Sequence, residues 1–211
     1  MEKFEELANA LADLNEEKTL RTTKETLEAG EDPVEILESC RNGITIVGDR
    51  FERGEYFLSE LVMAAEIFKE AMELVRPKLE KVVAKPLGKI VIGTVKGDIH
   101  DIGKNIAIAL LEAAGFEVHD LGVNTPPEKF VDAIKEVNPE IVGMSCLLTL
   151  SIESMRKTVE AIREANLREG VKVIIGGGRV DEVACEYIVA DAYTDNAVRG
   201  VTICKKWIGG K

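Results

Sequence analysis

The segment Lys96-Gly97-Asp98-Ile99-His100-Asp101-Ile102-Gly103-Lys104 places a carboxylate two residues before an imidazole. A histidine that ligates a metal must be neutral at the ligating nitrogen. A carboxylate that accepts the other ring N–H fixes that tautomer and strengthens the ligand. Asp98 and His100 could form this pair. The D-x-H triplet alone reads more readily as a surface turn with a helix-capping aspartate, because turns are rich in Asp. The loop is not a nucleoside-triphosphate site. Five residues rather than four separate Gly97 from Gly103, and Asn105 stands where Ser or Thr would hold magnesium. A G-x-G-x-x-G dinucleotide fingerprint is also missing.

The elements around this loop decide what it faces. Nearly continuous apolar runs at Ile90–Val95, Ile141–Met144 and Val171–Ile175 alternate with helical segments at residues 102–114, 128–137 and 152–165. Strands buried on both faces read this way, so an α/β layer with a parallel sheet and right-handed crossovers is expected. In such sheets ligands bind beyond the carboxyl ends of the strands, at the point where strand order reverses. The loop holding Asp98 and His100 follows the first run, Ser145-Cys146-Leu147 follows the third strand, and Gly176-Gly177 follows the fourth. Taken singly, the glycines are turn formers, and Ser145, Thr149 and Ser151 are the capping cluster of the next helix.

Residues 1 to about 80 read as helices alone. Leu7, Leu11 and Leu14, then Leu20, Thr23 and Leu27, recur at three- and four-residue steps. Ala29-Gly30 closes the second helix, and Asp32-Pro33 opens a third with an N-cap followed by proline. Its apolar stripe is Val34, Leu37, Cys40, Ile44 and Val47. A break at Arg53-Gly54-Glu55 precedes a fourth helix with Leu61, Ala64, Phe68, Met72 and Val75 facing inward. Four such helices with short loops predict a bundle over residues 1–86. A linker at residues 81–88 with Pro86 and Gly88 leads into the α/β domain, residues 87–211.

Composition narrows the function classes. The 211 residues are 45% hydrophobic and 31% charged with a net charge of -11, which argues against binding nucleic acid or an anionic membrane. The N-terminal segment lacks a signal peptide's basic and apolar regions, and no run is long enough to span a bilayer. Cys40, Cys146, Cys185 and Cys204 lack the spacing of a thiolate metal site or a disulfide framework, so a reducing cytoplasm is expected.

The combination Asp98-x-His100-x-x-Gly103, Ser145-x-Leu147 and Gly176-Gly177 resembles the signature of the cobalamin-binding domain of methionine synthase and its methyltransferase relatives. Forty-one residues separate Gly103 from Ser145 and twenty-eight separate Leu147 from Gly176, spacings customary in that family. The stretch Tyr56-Phe57-Leu58-Ser59-Glu60-Leu61-Val62-Met63-Ala64-Ala65-Glu66 looks like the family's helical cap, although many relatives carry proline where Ser59 stands. The resemblance spans nearly the whole chain and is strongest to the free-standing corrinoid proteins of methanol, methylamine, betaine and aryl methyl ether methyltransferase systems.

The resemblance implies a flavodoxin-like or Rossmann-like sheet domain joined to a helical bundle cap. It also implies a cobalamin cofactor that alternates between methylcobalamin and cob(I)alamin. His100 would be the lower axial cobalt ligand in place of the cofactor's dimethylbenzimidazole, Asp98 its partner, and Ser151 the end of a proton relay. The displaced nucleotide tail would pass Gly103, Gly176 and Gly177, with Ser145 bonding the benzimidazole and Leu147 and Thr149 packed along it. Phe57 and Leu61 would lie near cobalt, residues 124–127 would border the corrin, and His119 would be structural. The chain would then be a non-catalytic carrier. Its partners would be a substrate-specific methyltransferase, an acceptor-side methyltransferase serving tetrahydrofolate or a thiol, and a reductive activation protein. The alternatives are the cobalamin subunit of an adenosylcobalamin mutase and a cobalamin-based sensor. A response-regulator receiver would need an aspartate after the third strand, where Ser145-Cys146-Leu147 supplies none.

Overall fold

A computed structural model describes residues 2–79 and 86–209 of the chain. The chain divides into two compact units, Met1–Lys85 and Pro86–Lys211. Of the linker expected at 81–88, residues 81–85 lie outside the described residues.

The first unit holds helices α1 (Glu2–Ala12), α2 (Glu16–Glu28), α3 (Pro33–Glu52) and α4 (Leu58–Leu79). Asp32 caps α3 through Val34 N–H, with Pro33 in the first turn as expected. Two details depart from the sequence reading. Leu14 lies beyond α1 in the left-handed region, at φ 58°, rather than on its apolar face. The buried face of α2 consists of Thr19, Thr22, Thr23 and Thr26, while Leu20 and Leu27 are half-buried. Threonine can face a core because its hydroxyl bonds a carbonyl of its own helix, four residues back, and leaves the methyl outward. Thr19, Thr23 and Thr26 all do so, at 2.8 Å. On α3, a Cβ at Gly43 would come within 2.8 Å of the Ala8 carbonyl, so glycine there lets α1 and α3 touch through their backbones.

The second unit is a doubly wound α/β layer. Strands β1 (Lys89–Thr94), β2 (Glu117–Asp120), β3 (Ile141–Ser145), β4 (Lys172–Gly176) and β5 (Ala192–Thr194) form one parallel sheet in the order 2-1-3-4-5. Helices α5 (Ile102–Ala113), α6 (Pro127–Val137), α7 (Ile152–Glu164), α8 (Glu182–Ile188) and α9 (Ala197–Trp207) follow the strands in turn. Successive strand residues point to opposite faces. Ile90 and Ile92 therefore join Leu111, Phe116 and Cys204 on the side of α5 and α9. Val91 joins Phe130, Met155 and Ile162 on the side of α6 and α7.

The register carries the functional consequence. Thr94, Ser145, Gly176 and Thr194 stand side by side in one row across β1, β3, β4 and β5. Strand order reverses between β1 and β3, so the loops that leave Thr94 and Ser145 flank the switch point. No described helix is long and apolar enough to cross a membrane.

All four cysteines are unpaired. Burial pushes the thiols of Cys40 and Cys204 up to about 12 and that of Cys146, with the Asp98 charge adding to it, up to about 11. Only the thiolate is nucleophilic. Iodoacetamide at pH 8 should leave these three unmodified in the folded chain, with Cys185 reacting slowly. Rapid labelling of Cys146, read by peptide mass spectrometry, would show that the loop after β3 is open.

Candidate functional site

Asp98 is 1% exposed, and both its carboxylate oxygens are occupied. Oδ1 accepts the His100 backbone N–H at 3.0 Å and the His100 Nδ1–H at 2.6 Å. Oδ2 accepts the backbone N–H groups of Leu147 and Leu148 at 2.7 and 2.9 Å. Burial by itself would raise the pKa of this carboxyl. The backbone N–H groups of His100, Leu148 and Leu147, together with the imidazole, outweigh burial and hold it well below the usual carboxylate range. Asp98 is therefore an ionised acceptor to which Nδ1–H donates, so Nε2 is the ring nitrogen available to a metal. The His100 side chain is 49% exposed, and Nε2 has no hydrogen bond among the described residues. The capping alternative fails on geometry. Asp101, not Asp98, occupies the cap position of α5, and it makes no side-chain cap bond.

The loop is braced on its other flank. Thr94, fully buried, donates from Oγ1 to the His100 carbonyl at 2.9 Å. Asn124 accepts the Gly97 N–H on Oδ1 at 2.9 Å and donates its own N–H to the Asp98 carbonyl at 2.9 Å. It does this from the left-handed region, at φ 52°, where asparagine is among the few non-glycine residues tolerated. Leu147 and Leu148 from the β3 side and Thr94 and Asn124 from the β1–β2 side thus fix one imidazole.

The other expected site residues fall into three groups. Ser145, Leu147, Gly176 and Gly177 surround the same strand ends, with Leu147 and Thr149 exposed. Gly177, at φ 128°, could not carry a side chain, because a Cβ there would overlap the Cys146 carbonyl. Gly103 differs: nothing lies within 4 Å of the position a Cβ would take. Its glycine answers to space outside the chain rather than to packing within it. Ser151 is buried behind the loop, yet no hydrogen bond links its hydroxyl to Asp98 or His100 among the described residues. On the bundle, Phe57 is 68% exposed whereas Leu61 is 1% exposed. Leu61 is thus enclosed in the helical core, and of the two only Phe57 presents a surface.

Several members of the site escaped the sequence reading. Ile99, Ile102, Leu148 and Leu150 are exposed apolar residues on the two loops that flank His100. Each looks like an ordinary loop or helix residue until the fold shows that water, not core, lies beside it. They supply an apolar surface around a polar ligand.

The donor set points to the kind of metal group. Among the described residues no three His, Cys, Asp or Glu side chains converge to hold an ion. One outward imidazole nitrogen therefore suits a metal whose other ligands come from its own macrocycle. An apolar surface beside it and an open glycine cradle fit a corrinoid.

A family model described as a B12 binding domain matches residues 88–201, and a second model of the same description matches residues 3–76. The chain belongs to the B12-binding corrinoid proteins. It is 37% identical over 212 residues to a dimethylamine corrinoid protein of Methanosarcina acetivorans, covering 100% of this chain and 98% of that one. It is 40% identical over 192 residues to a trimethylamine corrinoid protein of the same organism, covering 90% and 89%. Among solved structures, a cobalamin-binding protein from Desulfitobacterium hafniense is 43% identical, with a TM-score of 0.79 and 98% of both chains covered. The methanol:cobalamin methyltransferase complex of Methanosarcina barkeri is 26% identical, with a TM-score of 0.87, covering 100% of this chain and 81% of that one. These corrinoid relatives carry the same two parts, helical and α/β.

Asp98→Ala would leave three backbone N–H groups and an imidazole without their acceptor. The cofactor-free protein should lose about 2–4 kcal/mol in urea unfolding at pH 7. Because the folded pKa is depressed, this stabilisation is present above the unfolded value of about 3.9 and is lost as pH falls below it. The gap between the two proteins should therefore narrow on acidification, and a gap that is constant or widens toward acid would contradict the assignment. Gly177→Ala, which forces a Cβ into the Cys146 carbonyl at a positive φ, should cost more than about 3 kcal/mol in the same measurement.

Proposed function

We propose that this corrinoid protein is a methyl carrier that holds one cobalamin through His100 Nε2 and presents its methyl group in turn to two methyltransferases. The observation that carries this reading is the Asp98–His100 pair, with Nδ1 fixed at 2.6 Å on a buried carboxylate and Nε2 directed outward. When bound, cobalamin supplies a cobalt centre that accepts a methyl group from one partner and yields it to another.

The chain's own residues set the terms of that exchange. His100 would hold the cobalt through Nε2, with Asp98 fixing the ring through Nδ1. Gly103, Gly176 and Gly177 leave room for the nucleotide tail, Ser145 bonds its base, and Leu147 and Thr149 pack along it. Ile99, Ile102, Leu148 and Leu150 keep water from the lower face. Ser151, buried behind the loop, would be the end of a proton relay to the Asp98–His100 pair. On the bundle, Phe57 is the residue available to shield the cofactor.

The carrier role separates this chain from a mutase subunit or a sensor, since its relatives over almost their full length are methylamine corrinoid proteins. The chain leaves activation of donor and acceptor to its partners. The first is a substrate-specific methyltransferase, with methylated amines the first donors to assay given the relatives' names. The second delivers the methyl group to tetrahydrofolate or a thiol, and a reductive activation protein returns oxidised carrier to the cycle. Four unpaired thiols suit a cytoplasmic setting.

The purified chain incubated with hydroxocobalamin under reducing conditions should retain about one cobalt per chain through gel filtration. With nitrogen-15 histidine, the superhyperfine splitting of its Co(II) signal should change. A colourless protein, or a splitting indifferent to the label, would refute the reading. Gly103→Leu separates folding from binding, because the position is open and leucine is the better helix former. Its unfolding free energy should stay within about 1 kcal/mol of the parent, while the cofactor is lost on the column.

A further inference from the structure

Lys104 occupies a place where lysine is doubly unfavourable. It sits in the first turn of α5, where the helix dipole disfavours a cation, and it is 3% exposed, although lysine is almost never fully buried unless paired. Its ammonium donates to Asp120 Oδ2 at 2.6 Å and to Asn105 Oδ1 at 2.9 Å. Asp120 ends β2, and its other oxygen accepts the Gly122 N–H at 2.9 Å. The Gly122 carbonyl accepts the Thr94 N–H at 3.0 Å, and Thr94 Oγ1 holds the His100 carbonyl. Two residues further on, Asn124 holds Gly97 and Asp98.

A hydrogen-bonded path therefore runs from Lys104 through Asp120 and the β2–α6 loop back to the loop that carries His100. With Thr94 it fixes that loop at its exit into α5, while Asn124 fixes its entry at Gly97 and Asp98. A buried ion pair is weak evidence for stability, because apolar residues of similar volume often serve as well. Its distinctive property is direction, since each donor must meet its acceptor. We propose that the Lys104–Asp120 pair is a positioning element that locks the first turn of α5 to the β2–α6 loop and so sets how firmly His100 ligates cobalt. This inference rests on the reading of His100 as the cobalt ligand.

The test compares the full chain with Lys104→Met, Lys104→Arg and Asp120→Asn. Val171→Ala, at the other end of the sheet and in the core, serves as a control for general destabilisation. Two quantities are read: amide hydrogen exchange at Gly97 and Asn124 without cofactor, and the nitrogen splitting of the Co(II) signal after loading with hydroxocobalamin and reduction. Lys104→Met and Asp120→Asn should exchange about tenfold faster at both amides and raise the histidine-off population about tenfold, a size typical of partners outside the immediate ligand set. Lys104→Arg should restore part of each effect, and Val171→Ala should show neither. Should Lys104→Met fail to fold, Asp120→Asn, whose side chain reaches the surface, gives the same readings. Unchanged exchange and splitting at matched occupancy, with only global stability lowered, would overturn the inference. A histidine-off signal in the unaltered chain would overturn the His100 assignment, and this inference with it, whatever the exchange rates.

Discussion

One buried negative charge organises the site. A carboxylate removed from water is costly unless donors replace its hydration, and Asp98 meets that demand with four N–H groups from two different loops. Two of those donors, Leu147 and Leu148, follow β3, while Asp98 itself follows β1. The charge therefore couples the two loops at the point where strand order reverses. The same charge fixes the tautomer of His100. Without it, the imidazole could present either nitrogen to a metal, and Leu147 and Leu148 would lose their tie to the loop that carries His100.

The glycines of the signature answer to different demands, although the sequence shows them as alike. Gly177 is required by the chain's own backbone, at a positive φ and against the Cys146 carbonyl. Gly103 is required by nothing in the chain, since its Cβ position is open. A residue that costs helix stability without a packing reason points outward, to what binds there. The threonine face of α2 teaches the complementary lesson, that a polar residue can be core once its hydroxyl has a partner on its own helix.

These contrasts explain what could be read before the fold was known. The long, strongly patterned elements were legible. The runs at Ile90–Val95 and Ile141–Met144 became β1 and β3, and Asp32 and Pro33 opened α3. The three-residue strand β5, Ala192–Thr194, and the short α8 have too few residues to show a period, so neither stood out. The D-x-H spacing suggested the Asp98–His100 pair. The Leu147 and Leu148 donors were invisible because a backbone N–H carries no residue type. The brace from Asn124 was hidden because it depends on pairing between distant segments, and that from Thr94 because its partner is a backbone carbonyl. Leu61 carries two expectations at once. A motif placed it beside the cofactor, while its apolar spacing in α4 already fitted core, and the bundle encloses it.

The pair divides into a fixed part and a movable one. Asp98 is buried and His100 is half exposed, so the charge is the anchor and the imidazole is the part free to move. Three of the four donors to Asp98 are backbone groups that stay in place when the imidazole turns away. Leu147 and Leu148 therefore tie the loop after β3 to Asp98 independently of the imidazole. Within the protein, one charge-assisted hydrogen bond, from Nδ1 to Asp98 and worth about 1.5–3 kcal/mol, sets the orientation of the ring. A difference of that size shifts an equilibrium by roughly one to two powers of ten. It is large enough to favour one ring orientation over the others.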